Sequence, residues 1–128
     1  MAKYITTTLP YVNASPHLGH ALEFIQADAY VRTLRLQGEE VFFNTGVDEH
    51  GTKVWEKANE AGLQPQEYVD KLAVRFEQFA KELNMSYDAF TRTTSKAHQA
   101  SAQEFWKRCE ASGDIYKASY QVKYCVGC

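Results

Sequence analysis

Apolar residues along this chain follow two periods in turn. From residue 3 to 11, KYITTTLPY is a β-branched and aromatic run closed by Pro10, which predicts a buried strand. The next stretch, SPHLGHALEFIQADAYVRTLRLQG, changes to helical spacing, with Leu18, Ala21, Leu22, Ile25, Ala29, Leu34 and Leu36 as its expected apolar stripe. Ser15 suits an N-cap, and Pro16 suits the first helical position, where a missing N–H costs nothing. Gly38 is the expected stop. EEVFFNTGVDEHG (39–51) predicts a second strand running into a glycine-bounded loop.

A short helix is expected from Thr52 to Ala61, before Gly62. The clearest helical signal is PQEYVDKLAVRFEQFAKELN. There Val69, Leu72, Ala73, Phe76, Phe79, Ala80 and Leu83 recur at three and four residues, forming one face for packing. DAFTRTT (88–94) predicts a third strand. Ser95 is placed to cap the helix KAHQASAQEFWKRCEASG, which Gly113 ends, and IYKASYQVKYC alternates enough for a strand or hairpin. Strands alternating with helices predict an α/β fold on a parallel sheet. Ligands of such sheets sit beyond the carboxyl ends of the strands. That rule directs attention to residues 9–23 and 45–52.

Composition narrows the class without changing this picture. At 128 residues, 45% hydrophobic and 23% charged, the chain fits one globular domain. A net charge of −2 provides no broad attraction to nucleic acid or anionic membranes. No run approaches the ~20 apolar residues needed to span a bilayer. The N-terminus has no signal-peptide core, so a cytoplasmic location is expected. Three cysteines, Cys109, Cys125 and Cys128, do not make an extracellular disulfide framework. The closing YKASYQVKYCVGC reads as the opening of a further structured region, so a longer parent protein is expected.

The candidate chemistry lies at the two strand ends. His17 and His20, three apart, share one helix face at a terminus with unpaired N–H groups and a positive dipole end, where anions bind. Gly19 between them leaves room for a flat ring against the backbone. Asn13 and Glu23 reach the same space. On spacing alone, two surface histidines are as good a reading; the cap, the glycine and the strand end favour nucleotide phosphate. At the second strand end, Asp48 lies near apolar residues and needs a partner. A ligand ammonium would serve, or Asp48 caps the next helix. His50 and Gly51 read equally well as turn residues. The pair Cys125 and Cys128 (CVGC) fits half a zinc site, a redox pair or plain thiols, with half a zinc site preferred. Cys109, beside Trp106, reads as packing.

These stretches resemble a known family. PYVNASPHLGHA resembles the HIGH motif of the class I aminoacyl-tRNA synthetases in its methionyl form, and TGVDEHGTK resembles that family's second motif. YDAFTRTTSKAH and SGDIYKASYQVKYCVGC follow in the family's order and at similar spacing. H-x-G-H alone is shared with other nucleotidyl transferases; four matches across nearly the whole chain are specific.

The resemblance implies a Rossmann-like parallel sheet. Residues 1–114 would form the N-terminal half of the catalytic domain, and 115–128 the start of a zinc-binding connective insertion. It implies that methionine and ATP, with Mg2+, give methionyl-adenylate and pyrophosphate, and that the methionyl group then passes to tRNA(Met). His17 and His20 would stabilise the ATP phosphates, Gly19 would let adenine stack on the backbone, and Asn13 and Glu23 would hold the nucleotide. Asp48 would bind the methionine ammonium, with Leu9 and Tyr11 lining the pocket. Cys125 and Cys128 would be two ligands of a structural Zn2+. The family's KMSKS loop does not occur in these residues, so the chain alone is expected to be a poor catalyst without tight tRNA binding. Another class I synthetase for an aliphatic amino acid, or a non-catalytic synthetase-derived module, would share most of these features.

Overall fold

The computed structural model describes residues 1–123. The expected zinc thiols Cys125 and Cys128 lie outside the described residues. Three strands, β1 (Lys3–Thr6), β2 (Val41–Val47) and β3 (Ala89–Arg92), form a parallel sheet in the order β1-β2-β3. Tyr4 pairs with Phe42 across one seam, and Thr45 with Phe90 across the other. Four helices complete the order: α1 (Leu18–Leu36) follows β1, α2 (Thr52–Glu60) and α3 (Pro65–Glu82) follow β2, and α4 (Lys96–Ala111) follows β3. This is the α/β arrangement expected from the alternation of periods.

The central strand β2 is buried from Phe43 to Val47. A Cβ at Gly46 would lie 1.9 Å from the Thr91 carbonyl oxygen, so only glycine allows β3 this close. Phe43 joins Phe24, Val31, Ala80 and Met85 in one apolar cluster between α1, α3 and the sheet. Val47 joins Val12, Val54, Val69, Leu72, Ala73 and Phe76 in a second cluster, nearer the carboxyl ends of the strands. The α3 face is the one its spacing predicts.

Two expectations are corrected at the first strand and helix. The β1 strand ends at Thr6, short of the expected Tyr11. Thr8 gives both its N–H (2.7 Å) and its hydroxyl (2.5 Å) to the Glu23 carboxylate, which turns the chain out of the ladder. The chain rejoins β2 at a bridge between Tyr11 and Asp48: the Asp48 N–H donates to the Pro10 carbonyl (2.9 Å), and the Val12 N–H to the Asp48 carbonyl (3.1 Å).

In α1 the expected stripe is mostly outside: Leu18 is 87% and Leu36 89% exposed, and Leu22, Ile25 and Ala29 also face outward. The buried face is Ala21, Phe24, Asp28, Val31 and Leu34. Asp28 is the reason the apolar pattern misleads. It is buried because the Ser86 N–H and hydroxyl (both 2.6 Å) and the Arg32 Nε (2.6 Å) donate to its carboxylate. Burial opposes the charged form, but the Ser86 and Arg32 hydrogen bonds outweigh it and hold the carboxyl below its ordinary range.

Ser95 caps α4, its hydroxyl accepting from the His98 N–H at 3.2 Å. No residue of α4 is buried, and Cys109 is only half-buried. Residues 115–123, the described part of the stretch IYKASYQVKYC expected as a strand or hairpin, form neither strand nor helix. A strand needs a neighbour for its N–H and C=O groups, and among the described residues none pairs with this segment. No helix among the described residues is long and apolar enough to cross a membrane.

Candidate functional site

The carboxyl ends of β1 and β2 open into two adjoining pockets. One is lined by Asp48, His50, Gly51 and Thr52, the other by Thr8, Leu9, His17, Gly19, His20 and Glu23; Tyr11 and Asn13 line both. Two anchors position the loop between β1 and α1. Val12 is fully buried, and the Asn13 carbonyl accepts from the Tyr68 hydroxyl at 3.2 Å.

At the start of α1, the N-cap is His17 and not Ser15. The Ser15 hydroxyl instead accepts from Arg75 Nη1 (3.1 Å), which ties the loop to α3. His17 Nδ1 accepts from the Gly19 N–H (3.0 Å), and His20 Nδ1 accepts from the His17 N–H (3.2 Å). This is a capping box in which two imidazoles replace the usual hydroxyl and carboxylate. The rings stack with centroids 3.9 Å apart, and His20 meets the edge of buried Phe76 at 5.2 Å.

The cap has a chemical consequence. A nitrogen that accepts a hydrogen bond bears no proton, so each ring carries its proton on Nε2. Both histidines therefore keep an N–H available for a ligand oxygen, beside the positive end of the helix dipole. The pKa of His20 is lowered, first by burial and second by His17, with Glu23 acting in the opposite sense. The neutral tautomer is thus favoured at neutral pH. A Cβ at Gly19 would lie 2.9 Å from His17 Cε1. The flat ring that rests against Gly19 here is the His17 imidazole itself. Both oxygens of Glu23, expected to reach toward a nucleotide, are engaged by Thr8.

Asp48 does not cap α2, whose N-cap is Gly51. Its carboxylate Oδ1 accepts from the His50 N–H (3.2 Å) and the Thr93 hydroxyl (3.2 Å). It is half-buried, beside the exposed ring of Tyr11. Of the three residues expected around an amino acid, Tyr11 and Asp48 line the same pocket, whereas Leu9 lines the neighbouring one.

Behind Asp48 stands a network that sequence reasoning missed. The Glu49 side chain is 0% exposed and accepts from Arg92 Nε (2.8 Å) and Nη2 (2.6 Å) and from the Thr94 N–H (3.1 Å) and hydroxyl (2.7 Å). Arg92 also binds Asp70. The pKa of Arg92 is raised, first by its hydrogen bond to Glu49 and further by Asp70, against burial. The sequence carries one signal, an acid and an arginine near the ends of two expected strands; the register, which pairs Val47 with Arg92, is what brings them together. No cluster of three or more metal-ligating side chains occurs among the described residues.

The family model described as tRNA synthetases class I (M) matches residues 3–128. Methionine–tRNA ligase of Thermotoga maritima is 47% identical over 128 residues, which is 100% of this chain and 20% of that protein. The Rhizobium meliloti ligase is 46% identical over 96% of this chain and 24% of its own length. The structure of Mycobacterium tuberculosis methionyl-tRNA synthetase in complex with methionyl-adenylate is similar, with a TM-score of 0.88 and 43% identity. That match covers 90% of this chain and 23% of the other. The chain thus spans 20–24% of the length of these ligases.

Proposed function

We propose, from the premise that this chain belongs to the class I tRNA synthetases of the methionyl type, that it supplies the amino-acid and phosphate ends of a methionine-activating site. Residues 1–114 are then the N-terminal half of the catalytic domain and 115–128 the start of the connective insertion. The whole protein would join methionine to ATP, release pyrophosphate and pass the methionyl group to tRNA(Met), in the cytoplasm.

The observation that supports this most strongly is the pair of adjoining pockets. An aminoacyl-adenylate has an ammonium at one end and a phosphate linked to a nucleoside at the other. Asp48 lines one pocket and the stacked histidines line the next, with Tyr11 and Asn13 shared between them. A relative of this chain has methionyl-adenylate bound.

In this reading, Asp48 holds the ammonium and thereby aims the methionine carboxylate. A carboxylate oxygen attacks the α-phosphorus, a new P–O bond forms, and the bond to pyrophosphate breaks. No proton has to move, since the nucleophile is already an anion. Catalysis is then positioning plus charge stabilisation. The Nε2–H groups of His17 and His20 donate to the phosphate oxygens as charge develops there. Glu23 acts on the nucleotide site through Thr8, holding the loop that carries Leu9 and Asn13. Mg2+ would travel with ATP. A structural Zn2+ takes four ligands; Cys125 and Cys128 offer two, and the others would come from beyond this sequence.

The test uses the full-length protein. His20→Ala should slow single-turnover adenylate formation by on the order of 10²–10³-fold, with methionine affinity little changed. Asp48→Ala should weaken methionine binding with ATP binding retained. Normal adenylation in the first variant, or normal methionine affinity in the second, would refute the assigned roles. Amino-acid-dependent ATP–pyrophosphate exchange separates methionine from other aliphatic amino acids.

A further inference from the structure

We infer that Thr93 is a positioning residue for amino-acid binding: its hydroxyl orients the Asp48 carboxylate, and the buried Glu49–Arg92 pair fixes Thr93 in place. This rests on the reading of Asp48 as the ammonium site. Thr93 is buried just past the end of β3. Its Oγ1 accepts from the Glu49 N–H at 2.8 Å and lies 3.2 Å from Asp48 Oδ1. A hydroxyl has one proton. Since an N–H already points at the Thr93 oxygen and an ionised carboxylate cannot donate, that proton must go to Asp48. The direction of the relay is therefore set by the backbone: Glu49 N–H to Thr93 oxygen, Thr93 O–H to Asp48.

The backbone of Asp48 is fixed independently, through its bridge to Pro10 and Val12. The carboxylate is held by different contacts, from His50 and Thr93, and both fall on Oδ1. Together they set the plane of the group, and with it the direction of the second oxygen. At 3.2 Å both contacts are long for bonds to a carboxylate, so they orient the group without gripping it tightly. The Glu49 carboxylate, 43 residues from Arg92 in sequence, fastens the end of β2 to the end of β3 and so holds Thr93 in register with Asp48.

The experiment is steady-state ATP–pyrophosphate exchange on the full-length protein. Thr93→Val keeps the shape and removes the hydroxyl. It should raise the methionine KM on the order of tenfold with the ATP KM unchanged. Thr93→Ser should restore the wild-type methionine KM, and Thr93→Val should add nothing in an Asp48→Ala background, which has no acceptor for the hydroxyl. An unchanged methionine KM, an equal rise in both KM values, failure of serine to rescue, or a full additional effect in Asp48→Ala would each overturn the inference. If Thr93→Val does not fold, Thr93→Cys, a weak donor of similar size, takes its place with the same outcomes. An Asp48→Asn variant with a normal methionine KM would instead overturn the reading of Asp48 itself.

Discussion

Gly19→Ala separates the helical role of this position from its role in the site. Two opposing effects act on stability. Alanine is the better helix former by up to about 1 kcal/mol. Its Cβ, however, would stand 2.9 Å from Cε1 and 3.0 Å from Nδ1 of the His17 ring. The obstructing atoms belong to an exposed side chain, so the ring swings away and the helix survives. That movement breaks the 3.0 Å bond from the Gly19 N–H to His17 Nδ1. Losing such a cap typically costs about 1 kcal/mol. The two terms nearly cancel, so the unfolding transition should stay within about 2 °C of wild type. Activity has no such compensation. With the His17 ring displaced, its stacking on His20 at 3.9 Å is lost, and so is its Nε2–H donor. Single-turnover adenylate formation in the full-length protein should fall by roughly 10²-fold. Unaltered adenylation at unaltered stability would show that the His17 position contributes nothing to the reaction. A large loss of stability would show that the capping account is wrong.

Three further outcomes test the packing around the site. Arg92→Ala strands the fully buried Glu49 carboxylate, at a cost of about 3–5 kcal/mol; Glu49→Gln added to Arg92→Ala should recover part of that loss in denaturant titration. Asp28→Asn should weaken acid sensitivity. The Asp28 carboxyl is lowered from 3.8 in the folded state, so its contribution is complete above that value and lost as pH falls through the folded one; an acid-unfolding profile unchanged by the substitution would rule this out. His20→Gln keeps a side chain that closes capping boxes but removes the imidazole. The His20 pKa is lowered from 6.5 on folding, so its contribution is complete above 6.5 and declines as pH falls below it. In the variant that part of the stability profile should flatten, which thermal melts across pH 5–8 would detect.

Much of the fold is legible without coordinates. The α3 face from Val69 to Ala80, the cap at Ser95 and the strand character of 41–47 all appear as expected. Each is a local property, set by side-chain spacing within a few turns or by one hydroxyl beside a free N–H. The place of the candidate residues in the fold is legible too, because ligand sites of α/β sheets gather at the carboxyl ends of strands. The histidines, Asn13, Tyr11 and Asp48 do gather there.

The sequence by itself therefore determined the alternation of elements, the parallel sheet, the family and the region of the candidate site. Tertiary structure alone decided which side of α1 turns inward. The stripe expected from spacing groups Leu18, Leu22 and Ile25 with Ala21 and Leu34, and only the last two turn inward. The inward face carries Asp28, whose burial is acceptable only because Ser86 arrives from 58 residues away with two donors. Glu49 is likewise invisible as a core residue until Arg92 is beside it. The same holds for the helix start, where Arg75, 60 residues distant, takes the Ser15 hydroxyl, and His17 serves as the cap. The physical reason is common to all three. Apolar burial depends on spacing that is written locally, whereas a buried or capping polar group depends on the partner that meets it, and only the folded chain supplies that partner.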